Sequence, residues 1–208
     1  MKRLFLLLLA AIGGGCGQQM ALTPNTASLD TSSKSIALFT IQVNNEVNPA
    51  LWTYIDWVRV EDPISADSCN APPYILGQPV ASHGINSHEY LVSVALPPGH
   101  YRVGLVHGNG QFPFLVYGQF EYPDLAQFDV PAGKIVYVGH TELTNRLRKA
   151  DEQPSGDWLE PINQYSAGFI QGTMDVSVAD HADSDIAMFR EAYPCLKDAT
   201  IDKAIMVR

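Results

Sequence analysis

The stretch EYLVSVALPPGHYRVGLVH, Glu89–His107, decides the fold. Tyr90, Val92, Val94 and Leu96 recur at every second position, the period of a strand with one buried face. Pro97-Pro98-Gly99 then interrupts the pattern. Proline fixes φ at about −65° and glycine reaches φ > 0, so the three residues predict a type II turn with Gly99 in the left-handed region. The return segment places Tyr101, Val103 and Leu105 on one face and Arg102 on the other. A β-hairpin is expected. The same grammar recurs downstream, where Phe128 and Val130 lead into Pro131-Ala132-Gly133 and Lys134–Leu143 leaves it.

Working outward, Ser35–Val43 divides Ile36, Leu38, Thr40 and Gln42 from Ala37, Phe39, Ile41 and Val43. Ala50–Val60 sets Leu51, Thr53, Ile55, Trp57 and Arg59 on one face, with Trp52, Tyr54, Asp56, Val58 and Val60 on the other. Strands with two mixed or apolar faces belong inside a sandwich or under a covering element. Phe112–Phe120 reads as a further aromatic strand, with a turn near Pro123-Asp124. The proline-rich segment 62–79 reads as a long loop or edge, and 146–163 as a polar loop. Gly172–Val178 is a strand. Asp183 or Ser184 caps a short helix whose Ile186, Phe189 and Tyr193 form an apolar stripe ended by Pro194, and 199–207 closes as a last strand. Strand signals every 10–15 residues or so predict a mainly β chain, an antiparallel β-sandwich with one short C-terminal helix, as a single domain over residues 34–208.

The first 33 residues differ in kind. Lys2 and Arg3 precede nine apolar residues, Leu4 to Ile12, then Gly13-Gly14-Gly15-Cys16. Nine residues fall far short of the roughly 20 that span a bilayer, and a basic flank with a short apolar run is a signal peptide. With small residues leading straight into a cysteine, the segment resembles a bacterial lipoprotein signal, except that Gly13 stands where that family usually has leucine. The resemblance implies cleavage after residue 15, lipid on Cys16 and, because Gly17 is not acidic, the outer membrane, facing the periplasm or the exterior. Residues 16–33 are then a lipidated flexible tether.

Charge and cysteine content fit an envelope protein. The chain has 13 basic and 22 acidic residues, a net charge of −9, and loss of Lys2 and Arg3 makes the remainder more acidic still. Such a surface repels phosphate backbones and anionic lipid, so no nucleic acid is expected and the membrane is held through the anchor alone. Setting Cys16 aside leaves Cys69 and Cys195, which an oxidising compartment would pair across a loop of about 127 residues, worth roughly 5 kcal/mol less strain.

The strings Leu96-Pro97-Pro98-Gly99-His100-Tyr101-Arg102-Val103 and Phe128-Asp129-Val130-Pro131-Ala132-Gly133-Lys134 resemble turns of prealbumin-like and carboxypeptidase-regulatory-like β-sandwiches, which occur in bacterial lipoproteins. The likeness spans about residues 34–145 and implies a sandwich without catalytic residues. A fold likeness alone does not carry a function.

The chain has no G-x-S-x-G elbow, no H-E-x-x-H pair after His88-Glu89, and no phosphate-binding glycine loop, so no catalytic residue and no cofactor is assigned. Asp180, His181, Asp183 and Asp185 form the densest polar cluster; these types ligate divalent cations, but acidic residues also suit a helix N-terminus. His83, His88, His100 and His107 do not make a metal set, since His100 and His107 have opposite strand parity. The aromatics are expected in the core, with Trp158 in its polar loop the candidate interaction residue. Two function classes follow. The first is a non-enzymatic envelope lipoprotein whose sandwich binds or assembles with an envelope protein partner. The second is an envelope lipoprotein that binds a small ligand or metal, with hydrolysis as its furthest extension.

Overall fold

In the computed structural model of the chain, β1 (Ser35–Asn45) is buried on both sides, and this places it at the centre of the architecture. The structure describes residues 18–63, 72–112, 115–156, 158–159, 164–166 and 168–208; the expected signal segment, Cys16 and Cys69 lie outside the described residues. One sheet is built on β1, flanked by β5 (Ser87–Leu96) and β8 (Ile135–Leu147), with β11 (Gly172–Ala179) beyond β8 and β4 (Ala81–Ser82) beyond β5. The facing sheet runs β3 (Tyr74–Ile75), β2 (Trp52–Glu61), β6 (Gly99–Phe112), β7 (Leu115–Val130). The chain is therefore mainly β and sandwich-like, as expected. The β1–β8 pairing is parallel, as is the short β12 (Asp202–Lys203) against β8; the other pairings are antiparallel.

The two proline–glycine segments do not make hairpins. β5 pairs with β1 while β6 pairs with β2 and β7, so Pro97-Pro98 carries the chain from one sheet to the other. Pro131-Ala132-Gly133 does the same between β7 and β8, with Gly133 at φ 68° as a turn glycine. Gly99 has no positive φ, and the type II turn is absent. Alternation specifies which side chains face inward, and those assignments survive: Tyr90, Val92, Val94, Leu96, Tyr101 and Val103 all lie in the inter-sheet core with Phe39, Phe120 and Phe128. Alternation does not specify whether the next strand lies beside or opposite.

Bulges then overturn several facings. A register shift between Val103 and Leu105 puts Val106 inward and leaves Leu105 half-buried. It also turns His100 and His107 to the same outer side; they bond to Asp129 and Asp56 respectively, on separate parts of the sheet. A shift between Ile55 and Trp57 buries Thr53, Ile55, Val58 and Val60 together and turns Trp57 out to stack on His107 at 4.9 Å. Pro123-Asp124 is a bulge inside β7 rather than a turn, with Asp124 at φ 48°.

The β1–β5–β8 sheet is covered on its outer side as well. Helix α1 (Ala182–Ala192) buries Asp185 and Phe189 there, against Ile36, Leu38, Leu91 and Ile135. Its N-cap is His181, which makes no side-chain cap bond; Asp183 and Ser184 do not cap it, and Ile186 is only half-buried. The segment before β1, expected as free tether to residue 33, packs in part onto the same face. Leu22 is buried, its amide donates to Ser93 Oγ at 3.0 Å, and Leu29 joins the cluster. Cys195 sits in a 3-10 turn after α1. Trp158 falls in β9 (Trp158–Leu159), a two-residue strand paired with β10 (Gln164–Tyr165), and not in a loop; the role expected of its side chain lies outside the described residues.

Candidate functional site

Two sites stand out, one on each side of β5. Along this strand Tyr90 and His88 point toward the facing sheet, whereas Glu89, Leu91 and Ser93 point to the side that α1 covers.

The first is a cleft of about 340 Å³ at the sandwich edge, lined by Trp52, Tyr54, Ile75, Pro79, Tyr90 and Gln111. Aromatic side chains were expected in the core; Phe120 and Phe128 are there, but Trp52 is 53% exposed. The indole is nonetheless fixed. Trp52 Nε1 donates to His88 Nε2 at 3.0 Å, and His88 Nδ1 lies 2.7 Å from the Thr53 carbonyl oxygen. A carbonyl only accepts, so Nδ1 carries the proton and Nε2 offers the lone pair that receives the indole N–H. Gln111, paired with Trp52 across the β2–β6 ladder, donates through Nε2 to Tyr54 Oη at 2.7 Å.

Burial of His88 holds its imidazole below the ordinary histidine range, opposed in part by the Thr53 carbonyl. The folded state therefore disfavours the imidazolium. Its contribution to stability is complete above the unfolded-state pKa of about 6.5 and is lost as pH falls through the lower folded value. Protonation also removes the acceptor of the Trp52 bond. The His88 ring signals followed by NMR should titrate below pH 6.5 or so, with Trp52 emission changing over the same interval. A normal His88 titration that leaves Trp52 emission unmoved would rule out the coupling.

The second site lies beneath α1 and owes its existence to one bulge. Leu38 pairs with Tyr137 but Phe39 pairs with Gly139, so Val138 is an extra residue, and Gly139 takes φ 124°. That step turns His140 to the same outer side as Tyr137. Thr40, opposite His140 on β1, completes the floor, and α1 lowers Asp185 onto it. Asp185 Oδ2 accepts from Thr40 Oγ1 at 2.5 Å and Tyr137 Oη at 2.6 Å, and Oδ1 from Ser184 Oγ at 3.2 Å. Thr40 has one hydroxyl proton. Having given it to Asp185, it accepts from His140 Nδ1 at 2.8 Å. Glu89 Oε1 lies 3.6 Å from the same nitrogen. The His181 ring stacks on His140 with centroids 4.4 Å apart.

Electrostatics follow the burial. Burial and then the Asp185 charge push the Glu89 carboxyl up, burial pushes His140 down, and burial and the bond to Asp185 push the Tyr137 phenol up. Of the four residues in the polar cluster Asp180, His181, Asp183 and Asp185, His181 and Asp185 come together here. Asp180 is instead tied to Lys203 at 2.6 Å, which holds its carboxyl below the ordinary range, and Asp183 is exposed. Thr40, Glu89, Tyr137 and His140 were missed. They are scattered over three strands, and only the Gly139 beside His140 hinted that strand parity breaks there.

No protein family, no curated protein and no solved structure matches this chain.

Proposed function

We propose that the chain is a non-enzymatic cell-envelope lipoprotein, anchored in the outer membrane through lipid on Cys16, whose β-sandwich is a binding module for an envelope protein partner. The supporting observation is Trp52, a large apolar ring held by its indole bond to His88 at 3.0 Å yet 53% exposed, lining one cleft with Ile75, which is 52% exposed. A ring fixed in advance loses little conformational entropy on binding, and exposed aromatics supply contact area.

A photocrosslinking residue at position 75 tests the reading in intact cells. Discrete adducts are expected, lost on Trp52→Ala and absent when the probe replaces exposed Lys197, beyond α1. Equal labelling from both positions, or none from 75, would count against it. Anchoring has its own readout: Cys16→Ser should leave the chain unprocessed or shift it to the soluble fraction, and a variant that is cleaved and sedimented like the wild type refutes the anchor. A second reading, an envelope lipoprotein that holds a metal ion, is favoured by one observation, the convergence of His140, His181 and Asp185.

A further inference from the structure

We infer that His140, His181 and Asp185 form a binding site for one divalent transition-metal ion of the zinc class; this rests on the second reading above and is independent of the Trp52 cleft. Ligand atoms of the three residues lie within 4.8 Å of one another. Tetrahedral bonds of about 2.0–2.2 Å place two ligand atoms of one zinc about 3.3–3.6 Å apart. The ligand atoms must therefore draw together by about an ångström, and the exposed His181 ring, on the N-cap of α1, is the group placed to move.

Three features favour a metal over a merely structural polar cluster. His140 is 5% exposed and donates through Nδ1, while its Nε2 makes no hydrogen bond to a described residue. That is the tautomer a ligating imidazole needs, set by an outer partner. Asp185 is likewise oriented by Thr40 and Tyr137 through Oδ2, and Oδ1 retains acceptor capacity beyond its Ser184 bond. Third, the charge does not balance. Glu89 and Asp185 are 7% and 1% exposed, and among the described residues neither pairs with a lysine or arginine; the basic groups near them are histidines. Buried carboxylates are ordinarily compensated by a cation or a coordinated metal. An opening of about 260 Å³ adjoins the His181 side of the cluster, lined also by Asp180, Asp183, Ser184 and Lys203. Two imidazoles and a carboxylate select zinc, cobalt or nickel over magnesium or calcium, which take oxygen ligands.

The test uses the untagged full-length chain in detergent, stripped with chelator and titrated with Zn²⁺ by calorimetry and with Co²⁺ by visible absorption. One equivalent of Zn²⁺ should bind at micromolar concentration or tighter, and Co²⁺ should give the visible bands of a low-coordinate nitrogen–oxygen site. His181→Ala lies at an exposed position and should fold; it is expected to weaken binding by about tenfold or more, as loss of a supporting residue alone can do. Asp183→Asn should change it less than about threefold. Thr40→Val, which removes the outer partner of His140, should weaken binding while His181 remains. Absence of stoichiometric binding, or a His181→Ala variant that binds as tightly as wild type, overturns the proposal. Equal occupancy by Mg²⁺ overturns the assigned metal class.

Discussion

Replacing Arg102 by alanine is expected to destabilise the fold by about 2–3 kcal/mol, well beyond the ±0.5 kcal/mol or so of an ordinary surface change. On strand alternation Arg102 is a solvent-facing residue opposite Tyr101, and its side chain is indeed 27% exposed. Its partner is not exposed. Glu61 carries 4% side-chain exposure and lies across Gly104 so closely that a Cβ there would meet its carboxylate. Arg102 Nε and Nη2 both reach Glu61 Oε1 at 2.8 Å, while Nη1 reaches Asp124 at 2.8 Å. Among the described residues, Glu61 Oε2 has no hydrogen-bond partner. Removal of the guanidinium thus strands a buried carboxylate. Urea melts of Arg102→Ala, Glu61→Gln and the double variant separate the contributions. In the Glu61→Gln background the arginine truncation should cost under about 1 kcal/mol, because no charge is left behind. An Arg102→Ala variant as stable as wild type would show that Glu61 finds water.

Gly108→Ala should cost about 3 kcal/mol or more, at the upper end of core overpacking. Gly108 sits in mid-β6 between Ile55 of β2 and Phe120 of β7. A Cβ there would stand 2.3 Å from the Phe120 ring and 2.4 Å from the Tyr54 carbonyl oxygen. The ring can turn, but the carbonyl belongs to the β2 backbone, so the strand pair itself must shift. Phe120→Leu should therefore rescue only part of the loss. Gly77→Ala, where a Cβ meets nothing within 4 Å, is the control and should stay within about 0.5 kcal/mol. Equal melting temperatures for the two alanine variants would contradict this packing of β6.

Much of the inner core was legible because burial follows a two-residue period that needs no knowledge of neighbours. Ala37, Phe39, Ile41 and Val43 on β1, and Tyr90, Val92, Val94 and Leu96 on β5, occupy the inter-sheet core. The same period failed wherever a bulge inserted one residue. Trp57, Leu105 and His140 each face the side opposite to simple alternation, since one extra residue inverts every facing beyond it. The helix was visible from its apolar spacing, but its central buried residue, Asp185, was not, because a carboxylate reads as solvated unless its partners are known.

Composition and local pattern alone thus determined a mainly β chain with an acidic surface, strand-borne core residues and a short C-terminal helix. These properties depend on neighbours within a few residues, which the chain itself specifies. Tertiary structure alone decided that both proline–glycine segments cross between sheets, and that β1 and β8 pair in parallel. It alone set Thr40 beside His140, 100 positions away, and Asp185 above them both. Those contacts join residues far apart in the chain, and their partners are chosen by how the layers stack to exclude water from both faces of β1.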